Sequence, residues 1–253
     1  MGQLDGKVAI VTGAGRGIGK AIAILFAREG AKVAAISRSH ATLDPVVDQI
    51  RQEGGTVTGI LCDVSHKDQV DAAVAQVIEA FGTVDVLVNN AHDFATSRSS
   101  VLDATEAMFA DQFASGLYSV VHFMQACFPY LKERQGNVIN FGSGVGVLGA
   151  PTFTPYAACK EAVRAVSRVA AREWGQYKIN VNIINPASMT DSLIEATKNP
   201  AVMAAIADNP LGMPGPPLEE VAPVALFLAT DASKYITGHT FMVSGGKFID
   251  AAR

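Results

Sequence analysis

Along this chain, short runs of apolar residues alternate with longer segments in which apolar residues return every three or four positions. The short runs are Lys7–Thr12, Lys32–Ser37, Thr56–Asp63, Val84–Asn89, Asn137–Phe141, Ile179–Asn185 and His239–Val243. Runs such as Val8-Ala-Ile-Val11 are apolar throughout rather than alternating, the pattern of parallel strands buried on both faces. The longer segments read as amphipathic helices. Ile18, Ile22, Leu25 and Phe26 share one face of a helix over Ile18–Glu29 that Gly30 ends, and two long helices are expected over Phe109–Lys132 and Tyr156–Trp174. This alternation predicts an α/β fold with right-handed crossovers: one doubly wound parallel sheet of about seven strands with helices on both faces. Asn209–Pro217, rich in proline and glycine, follows Asp191–Asp208, where Leu193, Ile194, Met203 and Ile206 fall at helical spacing. Residues 187–217 are therefore expected to form an apolar lid on a single domain spanning 1–253.

Composition narrows the classes. With 253 residues, 49% of them hydrophobic, the chain can bury the core of one large domain. A net charge of −4 without a basic run gives no electrostatic footprint for nucleic acid. Cys62, Cys127 and Cys159 are scattered and odd in number, which fits a reducing compartment better than a disulfide framework. No apolar stretch reaches membrane-spanning length and the N-terminus carries an early acid instead of an apolar leader, so the expectation is a cytoplasmic protein without a membrane partner. None of the five histidines has a second one at ligand spacing, and no metal is expected.

Two segments carry chemistry. Thr12-Gly13-Ala-Gly15-Arg16-Gly17-Ile18-Gly19 joins the first strand to the first helix, and such a turn aims backbone N–H groups and a helix N-terminus at a pyrophosphate. An acid closing the second strand would bind the adenosine ribose of NAD; here the strand ends in Ser37-Arg38. Arg38, joined by Arg16, suits a 2′-phosphate, so NADP(H) is favoured over NAD(H). The other segment is Tyr156-Ala-Ala-Cys-Lys160, with Ser143 upstream. Residues four apart share a helix face, so the Lys160 ammonium is expected beneath the phenol, lowering its pKa from the usual ~10. Tyr156 can then protonate a carbonyl oxygen to which Ser143 also donates.

These motifs together resemble the short-chain dehydrogenase/reductase family over almost the whole chain. Asn89-Asn90-Ala91 resembles the family's Asn-Asn-Ala-Gly, Asn137–Ser143 its serine-bearing strand, and Asn182–Pro186 and Tyr235-Ile-Thr-Gly238 its C-terminal landmarks. The resemblance implies a Rossmann-type fold and hydride transfer between a nicotinamide and a carbonyl carbon. Tyr156 would be the acid/base, Lys160 would also bind the nicotinamide ribose, and Ser143 would stabilise the alkoxide. Cofactor contacts are implied at Gly13, Gly15, Arg16, Gly17, Ile18, Gly19, Ser37, Arg38, Asp63, Val64, Asn90, Ala91, Tyr156, Lys160, Pro186, Ala187 and Met189, with Asp63 accepting from the adenine amino group. A substrate pocket over His92, Phe94, Val145, Phe153 and Leu193 would take a small to medium apolar ketone or secondary alcohol. The expected assembly is a homotetramer, or a dimer, packed through the two long helices.

The chain also departs from the family pattern. Gly116 stands where the family has an asparagine that helps hold a water behind the lysine; Ser115 or Ser119 is a substitute, or a packing residue bonded to the preceding turn. His92 and Ala187 replace glycines, and Asp191 takes a slot the family fills with threonine. His92 and Phe94 read either as pocket residues or as plain loop residues. Cys159 reads as a buried small residue before an oxidisable thiol, and Arg164, Arg168 and Arg172 as a solvated or subunit-facing stripe. Gly116→Asn is expected to hold or raise activity; if instead a side chain or substrate presses against the backbone at Gly116, asparagine would clash and both stability and kcat would fall. A second reading, a low-turnover NADP(H)-binding sensor on the same fold, stays open; enoyl reduction is disfavoured, because that branch spaces tyrosine and lysine further apart.

Overall fold

The computed structural model describes residues 2–198, 200–207 and 209–247, without the side chains of 191, 192, 196, 201, 202 and 205. The expected place of the Asp191 side chain and the Asp208 end of the lid segment lie outside the described residues.

All seven apolar runs form strands: β1 (Val8–Thr12), β2 (Lys32–Ser37), β3 (Thr56–Leu61), β4 (Val86–Asn89), β5 (Asn137–Phe141), β6 (Asn180–Pro186) and β7 (Thr240–Val243). Every pairing is parallel, in the order β3-β2-β1-β4-β5-β6-β7. The Val84–Asn89 run forms its strand only from Val86, after Val84, which is in the core, and Asp85, which has a polar job. The Asp85 carboxylate is only 1% exposed; it accepts from the Val8 N–H at 2.9 Å and from Arg134 Nε at 2.8 Å. It ties the start of β1 to the end of a helix across the sheet.

The helices are α1 (Gly17–Arg28), α2 (His40–Gln52), α3 (Lys67–Phe81), α4 (Glu106–Phe113), α5 (Ser119–Arg134), α6 (Gly144–Leu148), α7 (Thr154–Trp174), α8 (Asp191–Ala196), α9 (Pro200–Ala207), α10 (Pro217–Glu220) and α11 (Ala222–Ala229). Because strand side chains alternate between faces, each strand feeds two layers. On one face Val11, Ala35, Val88, Ile139 and Ile184 pack against α1, α2 and α11 through Ile22, Phe26, Ile50 and Leu228. On the other, Ile10, Ile36, Leu87, Val138 and Val181 meet α3, α5 and α7 through Val77, Phe123, Leu131 and Val163. Each fully buried large side chain contributes about 1.5–3 kcal/mol, which explains why these strands are apolar on both sides. Strand order reverses between β1 and β4, and in such sheets a crevice opens there at the carboxyl ends.

One expected helix is interrupted. Phe109–Lys132 is not continuous: a π-helical turn, Ala114–Tyr118, separates α4 from α5. π-turns are rare and cluster at functional sites. Gly116 lies in the middle of this one. Among the described residues, no helix is long and apolar enough to cross a membrane.

Candidate active site

The crevice is lined first by the β1–α1 turn. Gly13 and Gly17 take positive φ (+66° and +55°), and a Cβ on Gly19 would lie 2.3 Å from the Gly13 carbonyl oxygen. Glycine is therefore required for the turn to close this tightly. Thr12 clasps the two strands at the switch point. Its Oγ1 accepts from the N–H groups of Asn90 and Ala91, both at 3.0 Å, while Asn90 Nδ2 donates to the Thr12 carbonyl at 2.9 Å. The sequence offered no signal for this clasp beyond the threonine's place at the start of the glycine motif. A cradle shaped by side-chain-free positions beside a helix N-terminus fits the pyrophosphate of a dinucleotide.

The loops after β2 and β3 hold one surprise. Arg38 is not a free cation: its Nη1 pairs with the Asp93 carboxylate at 2.8 Å. Arg38 and the β4 loop thus meet across the crevice, a contact between residues 55 apart that sequence spacing could not reveal. Arg16 is exposed in the glycine turn, and Ser37 Oγ lies 3.3 Å from Thr42 Oγ1. Asp63 uses Oδ1 to accept from the Ser65 N–H (3.0 Å) and hydroxyl (2.6 Å), which holds its carboxyl below the usual range despite burial. Val64 is buried beside it. Across the turn, Thr190 caps α8 by accepting from the Leu193 N–H and lies against Gly17. Ala187 and Met189 are tied by backbone bonds to Val243 and Gly215, so the segment after Pro186 is anchored to β7 and to the stretch before α10.

Ser143, Tyr156 and Lys160 converge as spacing suggested, and all three are buried at 5–8% exposure. Ser143 ends the β5 segment and caps α6, accepting from the Val145 N–H at 3.2 Å. Tyr156 lies in the first turn of α7, behind Pro155. Lys160, one turn on, donates to the Phe141 carbonyl at 3.0 Å. That bond corrects one expectation. The ammonium stands 5.8 Å from the centre of the tyrosine ring and serves the β5 carbonyl, so it does not draw the phenol's pKa down. Burial instead pushes Tyr156 up to about 12, with neighbouring Ser143 pulling the other way. Burial brings Lys160 down to about 8. At neutral pH the tyrosine is a proton donor and the lysine a readily discharged cation.

The ring of Tyr156 sits among three others: His92 edge-on at 5.2 Å, Phe94 at 5.4 Å and Phe153 at 6.1 Å. His92 and Phe94 are therefore placed beside the tyrosine. Phe94 is 57% exposed, and Arg98 stacks its guanidinium 4.6 Å over Phe153 at the outer rim. Val145 lies on α6 and Leu193 on α8, both half-buried.

Gly116 belongs to this cluster. A Cβ there would lie 2.4 Å from His92 Cε1, 2.6 Å from Nδ1 and 2.5 Å from Cys159 Sγ. The imidazole occupies the space that a side chain at 116 would need. The expectation that Gly116→Asn is tolerated is therefore wrong. Ser115 and Ser119 bond backward to the carbonyls of Asp111 (3.2 Å) and Ser115 (2.6 Å), as ordinary helix serines do. Buried Cys159 donates its thiol to the Gln112 carbonyl at 3.1 Å, and burial raises its pKa, so it is a thiol. Arg164 departs from its stripe: it is largely buried and pairs with Glu161 at 2.7 Å, while Arg168 and Arg172 are exposed. Among the described residues, no three His, Cys, Asp or Glu side chains gather as metal ligands. Gln112, Asp93 and Thr12 are the site residues that sequence reasoning missed.

Known proteins match this arrangement over nearly its full length. A family model described as Enoyl-(Acyl carrier protein) reductase matches residues 13–247. A 12alpha-hydroxysteroid dehydrogenase of Clostridium sp. is 39% identical over 255 residues, covering 97% of this chain and 98% of the relative. The 3-oxoacyl-(acyl-carrier-protein) reductase FabG of Thermotoga maritima is 37% identical over 249 residues, covering 98% and 100%. Among solved structures, a 7alpha-hydroxysteroid dehydrogenase complexed with NADH and 7-oxo glycochenodeoxycholic acid superposes with a TM-score of 0.91 at 32% identity, covering 98% of this chain and 96% of the other.

Proposed function

The chain belongs to the short-chain dehydrogenase/reductase family of NAD(P)-dependent oxidoreductases, and from that premise we propose that it interconverts a ketone and a secondary alcohol using NADP(H). The observation that carries the reading is the convergence of buried Ser143, Tyr156 and Lys160 past the carboxyl end of β5. Ser143 lies close enough to Tyr156 to offset part of its burial shift, so both hydroxyls can reach one substrate oxygen. In reduction, Tyr156 gives that oxygen its proton and Ser143 stabilises the charge developing there, a role in which one donor is worth about 3 kcal/mol. Lys160, charged below pH ~8, returns a proton toward Tyr156. When bound, the nicotinamide supplies or takes the hydride. Gly13 to Gly19, Asn90 and Ala91 would hold its phosphates and ribose, Asp63 and Val64 its adenine, and Pro186, Ala187 and Met189 its carboxamide end.

An apolar carbonyl compound fits the wall of Phe94, Phe153, Val145 and Leu193, with 187–217 as its lid in a single domain. The four-residue spacing of Tyr156 and Lys160 still argues against enoyl reduction, whatever the family model's description. A sensor without turnover would need none of the buried triad. NADPH oxidation over a panel containing small ketones, a ring-fused ketone and a 3-oxoacyl thioester tests the reading. Turnover with any of them supports it; none across the panel would leave the sensor.

The NADP(H) preference is supported by the missing acid at the end of β2 and by Arg38 and Arg16 there. Arg38→Asp is expected to lower kcat/KM for NADPH by roughly 10²-fold or more, through lost pairing and new repulsion, and to leave NADH less affected. Wild-type efficiency that is equal with both cofactors, or higher with NADH, would sink the charge argument. As for assembly, a homotetramer, or a dimer, through α4–α5 and α7 is supported by the exposed Tyr118 in the π-turn between α4 and α5 and Val169 on α7. Light scattering at micromolar concentration is expected to show an oligomer, and a monomer alone would refute it.

A further inference from the structure

His92 is better held than a loop residue needs to be. Gln112, fully buried, donates through Nε2 to the Asp93 carbonyl at 2.9 Å and to Thr96 Oγ1 at 3.1 Å. Its amide orientation is thereby fixed, because the flipped form would set Oε1 against the Asp93 carbonyl oxygen. Gln112 Oε1 then faces His92 Nε2 at 2.7 Å, and that nitrogen must carry the proton. Nδ1 is left as a bare acceptor. It is buried, and among the described residues it has no hydrogen-bond partner. The edge of the ring that carries Nδ1 fills the space over Gly116, at the centre of the π-turn.

Nearby stands the complementary group. The Lys160 ammonium has three N–H donors, of which the Phe141 carbonyl takes one. Its charge acts on His92: burial first, and Lys160 second, push the imidazole down to about 3 against the Gln112 bond, so the ring is neutral at any working pH. An acceptor without a donor and a cation with donors to spare therefore flank the same tyrosine ring.

We propose that His92 is a positioning residue of this site, held by Gln112 as the Nε2–H imidazole so that Nδ1 accepts from a buried water carried by the Lys160 ammonium. The water bridge fixes the ammonium beside Tyr156, and the glycine at 116 gives the ring its room. This inference rests on the oxidoreductase reading above.

Three variants and one spectrum test it. Asparagine can place an acceptor where Nδ1 stands, glutamine can reach only Gln112, and phenylalanine keeps only the volume. With a ketone from the panel, His92→Asn is expected to keep about a third of kcat or more, while His92→Gln and His92→Phe fall roughly tenfold with the cofactor KM changed less than about twofold. Should phenylalanine fail to fold, the Asn–Gln contrast still decides. Independently of turnover, long-range nitrogen–proton NMR correlations of the wild type should show a neutral Nε2–H imidazole at 92 with no titration between about pH 5 and 9. An Nδ1–H tautomer, titration in that range, or a kcat for His92→Phe equal to wild type would overturn the role of His92 alone. A wild type that reduces nothing on the panel would instead bring down the oxidoreductase reading, and this role with it.

Discussion

Tyr156→Phe is expected to cut kcat by roughly 10²–10⁴-fold while leaving cofactor affinity within about twofold, the range associated with loss of a positioned general acid. The ring is retained, so its packing against His92, Phe94 and Phe153 survives, and only the hydroxyl beside Ser143 is lost. The stability cost should therefore be small, about 1 kcal/mol or less. The pH dependence separates this role from mere packing. On the proposed mechanism, reduction consumes a proton that Tyr156 donates and Lys160 replaces. Tyr156, pushed up to about 12 by burial, stays protonated across the usual range, whereas Lys160, brought down to about 8 by burial, loses its proton within it. Wild-type reduction should accordingly fall as pH rises through about 8, and oxidation should gain. The residual activity of Tyr156→Phe should lose that limb. The measurement is steady-state kcat against pH in both directions together with cofactor titration. A variant retaining more than about a tenth of wild-type kcat would show that another group is the acid.

The sheet was legible because its signal is local: apolar runs bounded by turn residues place all seven strands within two residues at either end. Convergence of Ser143, Tyr156 and Lys160 was legible because helix periodicity and strand ends fix where those residues fall. What stayed hidden depends on pairs distant in sequence. Asp93 meets Arg38 across 55 positions, Gln112 reaches back 20 to His92, and Thr12 clasps Asn90 across 78. No periodicity encodes such contacts. The reading of Lys160 failed for a different reason. Spacing put it on the correct face of α7, but a buried ammonium takes the nearest carbonyl, here that of Phe141, before it serves a phenol. The glycine at 116 and the histidine at 92 looked like two unrelated departures in the sequence. In the structure they are one exchange of volume, with the larger residue moved from the helix to the loop.

Gly116→Asn is expected, for that reason, to lower both stability and turnover. An added Cβ would come within 2.4–2.6 Å of His92 and Cys159, and neither neighbour is the free end of a flexible chain. The imidazole is anchored by Gln112 at 2.7 Å and the thiol by the Gln112 carbonyl at 3.1 Å. Overpacking of this kind costs about 1–3 kcal/mol or more, well above the ~0.3 kcal/mol of helix propensity regained when asparagine replaces glycine. In a domain of this size that corresponds to a melting temperature lower by about 2–12 °C. Displacing His92 also shifts the edge that supports Tyr156, so kcat should drop roughly tenfold or more, with affinity for the cofactor, proposed to lie on the β1–α1 side, changed less. The decisive comparison is a double-mutant cycle. If volume exchange is the cause, His92→Gly combined with Gly116→Asn should recover much of the melting temperature lost by Gly116→Asn alone, giving a favourable coupling of about 1 kcal/mol or more. Additive losses, or a stable and fully active Gly116→Asn, would show that His92 and Gly116 do not share one space.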